Sequence, residues 1–284
     1  SPTANANVDF TVTFSEPVTG VDTVAPFDDF SLSTTGTVIG ATVTSITPTS
    51  PAVYTVRVNT GSGDGTIRLN VISGGSIMDS AHNTFATDFI TGEAYTIKKT
   101  LTVQSVGTYD GWVLESTETS GVGGTMNSAA TTVNLGDDAS NRQYVGILHF
   151  DTSSLPDTAV VTSATLKIKK YSLTGTNPFT ILGNLLVDMR KPSFGAVDLA
   201  VGDFQAAAGR VAVAVFGTPV NNWYSAVLNS SGRNYINLTG TTQFRLRFTT
   251  DDNNNGVADY MKFYSGDHGN VGVWPTFVIE YYVP

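Results

Sequence analysis

Asp251, Asn253, Asn255 and Asp259 are spaced through the stretch DDNNNGVAD, with Gly256 where a sharp turn would fall. Alternating positions turn side-chain oxygens toward one point, and hard oxygen ligands suit calcium at about 2.3–2.6 Å. On this spacing Asp252 points away from the ligand set. An EF-hand would need Glu at the last position of its loop, where this chain has Lys262, so the metal reading is a shorter acidic loop. The same residues also suit a hairpin, because Asn-Gly favours a type I′ turn and Asx side chains cap their own backbone. Two further stretches carry acids, YDGWVLES with Asp110 and Glu115, and LGDDASN with Asp137, Asp138 and Asn141. Asp110 and Asp137 are candidates to complete a calcium shell, and turn residues are the alternative for each.

Other chemistry has less to draw on. The histidines are His82, His149 and His268, and none lies in a zinc-protease, P-loop or nucleophile-elbow motif. His149 falls inside a strand-like run and His268 in a Gly-rich loop, so an enzyme is not expected. Sugar binding would need exposed aromatic platforms. Trp112, Trp223, Tyr224 and Trp274 are available, and NNWYS is the best placed of them. Adjacent residues of a strand point to opposite faces, so one of Trp223 and Tyr224 should face out.

The elements that must position these groups are strands. Of 284 residues only 14% are charged, 28 are Gly and none is Cys, a composition suited to short β-branched strands and many turns. The absence of Cys excludes disulfides, thiolate metal sites and a Cys nucleophile. Net charge is −9, from 24 acids against 15 bases, which opposes nucleic-acid binding, where Lys and Arg must neutralise phosphates. No apolar run approaches the roughly 20 residues that cross a bilayer. The opening SPTANANVDF reads as a mature or trimmed start rather than a signal peptide.

Val8, Phe10, Val12 and Phe14 alternate with polar residues, and similar runs follow at DFSLS, VIGATVTSI, VYTVRVN, TIRLNVI and AYTIK. This pattern predicts a β-sandwich over residues 1–98. A larger two-sheet sandwich, most simply a jelly roll, is predicted over 99–284 from runs such as QYVGILHF, VVTSATLKIKK, FRLRFTT and TFVIEYYV. DFQAAAG is long enough for one helical turn only. The first domain shows six clear strands where a complete Ig-type sandwich has about seven. SPTANAN has a Pro and no apolar alternation, so the edge beside residues 8–15 is expected to be open. GGSIMDS or the interdomain link is the local alternative source of the seventh strand.

On FTVTFSEPVTGVD, YTVRVNTGSGDGTIRLNV, SIMDSAHNTF and GEAYTI, the first domain resembles the Ig-like repeats of bacterial surface proteins. His82 stands where such repeats usually carry Gly. On DGWVLES, LGDDASNRQYVGILHFDTSSLP, VVTSATLKIKK and TGTTQFRLRFTTDDNNNGVADYMKFYSGD, the second resembles the DNRLRE-type family of secreted β-sandwich modules, some of which bind carbohydrate. The resemblances imply a noncatalytic extracellular or cell-surface protein. The expected partners are other copies of itself or neighbouring surface proteins, joined by strand donation into a filament. The alternative is a carbohydrate-binding segment of a larger secreted enzyme or adhesin, with polysaccharide as ligand.

Overall fold

The computed structural model describes residues 2–283 and is all-β. Among these residues no helix is long and apolar enough to cross a membrane. The chain forms two compact units, one of residues 1–100 together with the stretch from Tyr281 onward, the other of 101–280.

The first unit contains β1 (Asn7–Thr13), β2 (Val18–Thr19), β3 (Phe30–Thr34), β4 (Thr42–Ser50), β5 (Val53–Asn59), β6 (Gly65–Val71), β7 (Met78–Asp79) and β8 (Ala94–Ile97). They make two three-stranded sheets, β1-β5-β4 and β3-β6-β8, and a short β2-β7 ribbon. Val56, Val58, Ile67 and Ile97 lie in the core between them, each at most 1% exposed. Their inward spacing of two along each strand is the alternation seen in the sequence. The GGSIMDS stretch supplies only β7, which pairs with β2 and not with β1.

Two segments differ from the predicted domain boundary. Lys99 and Thr100 belong to the first unit because Asp64 Oδ1 accepts both their N–H groups, at 2.6 and 3.1 Å. The Lys99 ammonium is held by Thr60 Oγ1 at 2.8 Å and the Gly61 carbonyl at 2.7 Å. The C-terminal stretch also returns to this unit. Tyr281 N–H donates to the Lys99 carbonyl, Val283 N–H to Ala4, and the Val283 carbonyl accepts from Ala6. Such backbone pairing is independent of side-chain type, so no residue pattern announces it.

The second unit continues with β9 (Thr100–Gln104), β10 (Gly111–Glu115), β11 (Gly123–Asn127), β12 (Thr132–Asp137), β13 (Gln143–Asp151), β14 (Val160–Thr174), β15 (Leu185–Arg190), β16 (Arg210–Val215), β17 (Trp223–Val227), β18 (Thr241–Phe248), β19 (Asp259–Tyr264) and β20 (Thr276–Tyr282). Its strands join in one hydrogen-bonded network, ordered β16-β15-β18-β13-β12-β19-β14-β20-β9, with β10, β11 and β17 branching off. The long β14 makes the corner. Residues 165–169 pair with β17, a bulge falls between Lys170 and Ser172, and 170–174 pair with β19. A bulge bends a strand, so one strand can serve two sheets. The rings of Phe150, Phe244 and Phe277 fill the interior, with centroids 5.0–5.6 Å apart. The helical turn expected at DFQAAAG is a 3₁₀ turn shifted to Val201–Phe204.

Candidate functional site

β12 ends and β19 begins with a carboxylate, and the antiparallel register sets Asp137 directly opposite Asp259. Both side chains are fully buried. The loop 251–258 folds over them, with Asn254 and Gly256 in left-handed conformations at φ 56° and 67°. Asx turns shape it. Asp252 Oδ1 accepts from Asn254 N–H at 2.7 Å, Asn253 Oδ1 from Asn255 N–H at 3.1 Å, and Asn255 Oδ1 from Val257 N–H at 2.7 Å. Asn141, itself at φ 55°, ties the neighbouring loop to this one by accepting from Gly256 N–H at 2.9 Å.

The carboxylates fare differently. Asp259 accepts from Thr176 N–H at 2.5 Å and from the amides of Asn255 and Asn253 at 2.9 and 3.2 Å. Burial pushes its pKa up, but these donors outweigh burial and hold it below the ordinary carboxylate range. Asp137 has neither oxygen hydrogen-bonded. Burial, together with the charges of Asp259 and Asp252, pushes its pKa up to about 6, while the Asn253 N–H offsets this from outside hydrogen-bonding geometry.

The loop reverses the expected order of its first two acids. Asp252 is buried at 6% exposure, whereas Asp251 is exposed. The reason is local. The Asx turn closed by Asp252 draws its carboxyl inward, so the preceding residue faces solvent. Asn253 and Asn255 are at the site, but their amide oxygens serve the turns and their NH₂ groups face Asp259.

Asp110 is not part of this cluster. Its carboxylate accepts from the N–H groups of His149 at 2.9 Å and Gly266 at 3.0 Å. Asp137 pairs with Gln143, six residues from His149 along β13 and therefore roughly 20 Å away. Glu115 closes its own turn through Gly121 N–H at 2.6 Å, and Asp138 is paired with Arg142 at 2.6 Å. Among the described residues no three His, Cys, Asp or Glu side chains form a ready-made metal shell.

The aromatic pair also separates. Tyr224 is buried, stacked on Phe179 with centroids 5.1 Å apart and edge-on to Phe263, so it cannot serve as a platform. Trp223 faces outward, half-buried, with Lys169 Nζ 5.5 Å from its ring centroid. The expected alternation holds, and the interior aromatics decide which residue goes in.

Sequence reasoning missed Asp252, Thr176 and the buried Asp188–Arg245–Arg247 group. The last left a legible sign. Arg245 and Arg247 are two apart on one strand and so share a face, which demands an acid beside them.

Gly175 packs against the site with φ 68°, and an added Cβ would collide with the Ala258 carbonyl and Asp259 Oδ1. Gly175→Ala should therefore destabilise the second unit by about 1–2 kcal/mol from backbone conformation alone, with the collision adding to this. A urea midpoint unchanged from wild type would refute that expectation.

No protein-family model and no curated protein matches this chain.

Proposed function

We propose that this protein is a noncatalytic structural or adhesive subunit at the cell surface or outside the cell, and that its first unit accepts a β-strand from a second copy. The observation that carries the reading is the free edge of β1. Phe14 N–H bonds to Ala52, and Thr60 N–H to the Ala6 carbonyl, so the even-numbered residues of β1 face β5. Asp9, Thr11 and Thr13 turn their backbone groups the other way, where no strand among the described residues pairs with them. Only the Asp9 carbonyl is taken, by the Tyr95 hydroxyl at 2.8 Å.

Beneath that edge runs a groove of about 960 Å³, lined by Phe10, Val12, Phe14, Phe85, Phe89 and Tyr95 among others. An exposed edge above partly open core is a template for strand addition. Pairing two different surfaces of identical chains is heterologous and propagates. The resemblances to surface-protein repeats and secreted modules agree with this setting. Against catalysis, His149 is buried, and burial holds its pKa below the ordinary histidine value.

Thr11→Pro tests the reading, because proline removes an N–H that faces the open edge and leaves the β1–β5 ladder intact. Wild-type chain should form oligomers that grow with concentration in sedimentation and electron microscopy. The variant should stay monomeric with an unchanged circular dichroism spectrum. Wild type that remains monomeric, or a variant that assembles equally well, would overturn it.

A further inference from the structure

The Asp137 carboxylate is the least compensated group in the second unit. It is 0% exposed, both oxygens lack a hydrogen-bond partner, and the two nearest acids, Asp259 and Asp252, are buried as well. Buried polar groups are almost always paired, and an unpaired charge away from water costs several kcal/mol. Arg142, the basic residue on the adjoining turn, is already committed to Asp138. The side-chain amides of Asn253 and Asn255 from the loop, and the Thr176 N–H from the turn after β14, go to Asp259. What the pocket lacks is positive charge.

We propose that Asp137, Asp252 and Asp259 bind a hard divalent cation of the calcium class, with Asp137 as the central ligand. Its two free oxygens suit bidentate coordination. Asp252 brings a second carboxylate, with one oxygen held in the Asx turn and the other free of the turn bond. Asp259 brings the third across the β12–β19 register. The remaining oxygens come from loop carbonyls and from water. Calcium tolerates six to eight oxygens in irregular geometry, whereas magnesium demands a near-ideal octahedron and gives up its water reluctantly. An Asx-rich loop that must close over the ion therefore favours calcium. Because the carboxylates are not gathered into a ready shell, binding draws the 251–258 loop inward. Asp251 has no part in this ligand set. The site lies wholly within the second unit and is independent of strand addition at the first.

The test uses the full chain stripped with chelator and then titrated with CaCl₂, read by thermal melting and by terbium luminescence sensitised by nearby Tyr144 and Tyr260. At a free calcium concentration a hundred times Kd, mass action shifts the folding equilibrium about a hundredfold toward the native state, and the melting temperature should rise accordingly. Asp137→Asn removes the charge but keeps the shape, and since the carboxylate makes no hydrogen bond, the variant should fold at least as stably as wild type in chelator. It should lose the calcium response and the terbium signal. Asp252→Asn should weaken both, and Asp251→Asn should leave both as in wild type. MgCl₂ at the same concentration should give the smaller shift. A wild-type melt indifferent to calcium, an Asp137→Asn variant that responds like wild type, or loss of response on replacing Asp251 would each overturn the assignment.

Discussion

Replacing Asp188 with alanine is expected to cost the second unit about 3–5 kcal/mol, the range found when one partner of a buried ion pair is removed. Asp188 is 0% exposed on β15 and accepts from Arg245 Nη2 at 3.1 Å, Arg247 Nε at 3.0 Å and Ala212 N–H at 3.0 Å. Burial alone would raise its pKa, but Arg247, the Ala212 N–H and Arg245 reverse that and hold the carboxyl below its ordinary range. Without Asp188, Arg245 keeps its bonds to the carbonyls of Asp203, Phe204 and Ala206 but retains a buried charge with no counter-ion. Arg247 reaches solvent more readily, so Arg247→Ala should cost clearly less than Asp188→Ala. Urea unfolding followed by tryptophan fluorescence measures both. A loss below about 1 kcal/mol for Asp188→Ala, the value of an exposed pair, would show that the group is not the buried anchor its geometry describes.

Stability near Asp110 should fall as pH rises. Burial is the main cause that pushes this carboxyl from its ordinary 3.8 up to about 7, against hydrogen bonds from His149 N–H and Gly266 N–H, with the Asp267 charge adding to the rise. The folded pKa lies above the unfolded one, so between about pH 4 and pH 7 the native state holds a proton that the unfolded chain has released. Stability is thus fully present below the unfolded pKa and is lost as pH climbs toward the folded value. At about 1.4 kcal/mol per pKa unit the loss is roughly 4 kcal/mol at most. Acids with depressed pKa values, including Asp64, Asp138 and Asp188, act in the opposite sense. The clean measurement is therefore the difference between wild type and Asp110→Asn across that window, in which those contributions cancel. The variant should gain on wild type steadily from pH 4 to pH 7. A flat difference would mean that Asp110 is ionised in the native protein throughout.

Much of this protein is legible from residue order. VYTVRVN is β5 to the residue, and TIRLNVI, YMKFYS and QYVGILHF lie within one residue of their strands, because a half-buried strand must alternate apolar and polar side chains. All-β architecture, the absence of helix-length periodicity and the placing of an acidic turn at 251–259 follow from the same local rules. β11 was not legible, since Gly-Gly-Thr-Met-Asn has no alternation and is a strand only through its pairing with β10. The candidate site was half visible. The sequence concentrates Asp and Asn at the loop, but periodicity does not extend into turns, and a left-handed Asn254 decides that Asp252 rather than Asp251 faces inward. Asp137 lies more than a hundred residues from that loop, and only the β12–β19 register brings it opposite Asp259. The same distinction governs NNWYS, where alternation dictated one ring in and one out, and the stack on Phe179 chose Tyr224. Local chemistry thus fixed most of the strands and turns, with β11 the exception. Tertiary structure alone decided which carboxylates meet, because burial and long-range register arise from contacts that no local stretch contains.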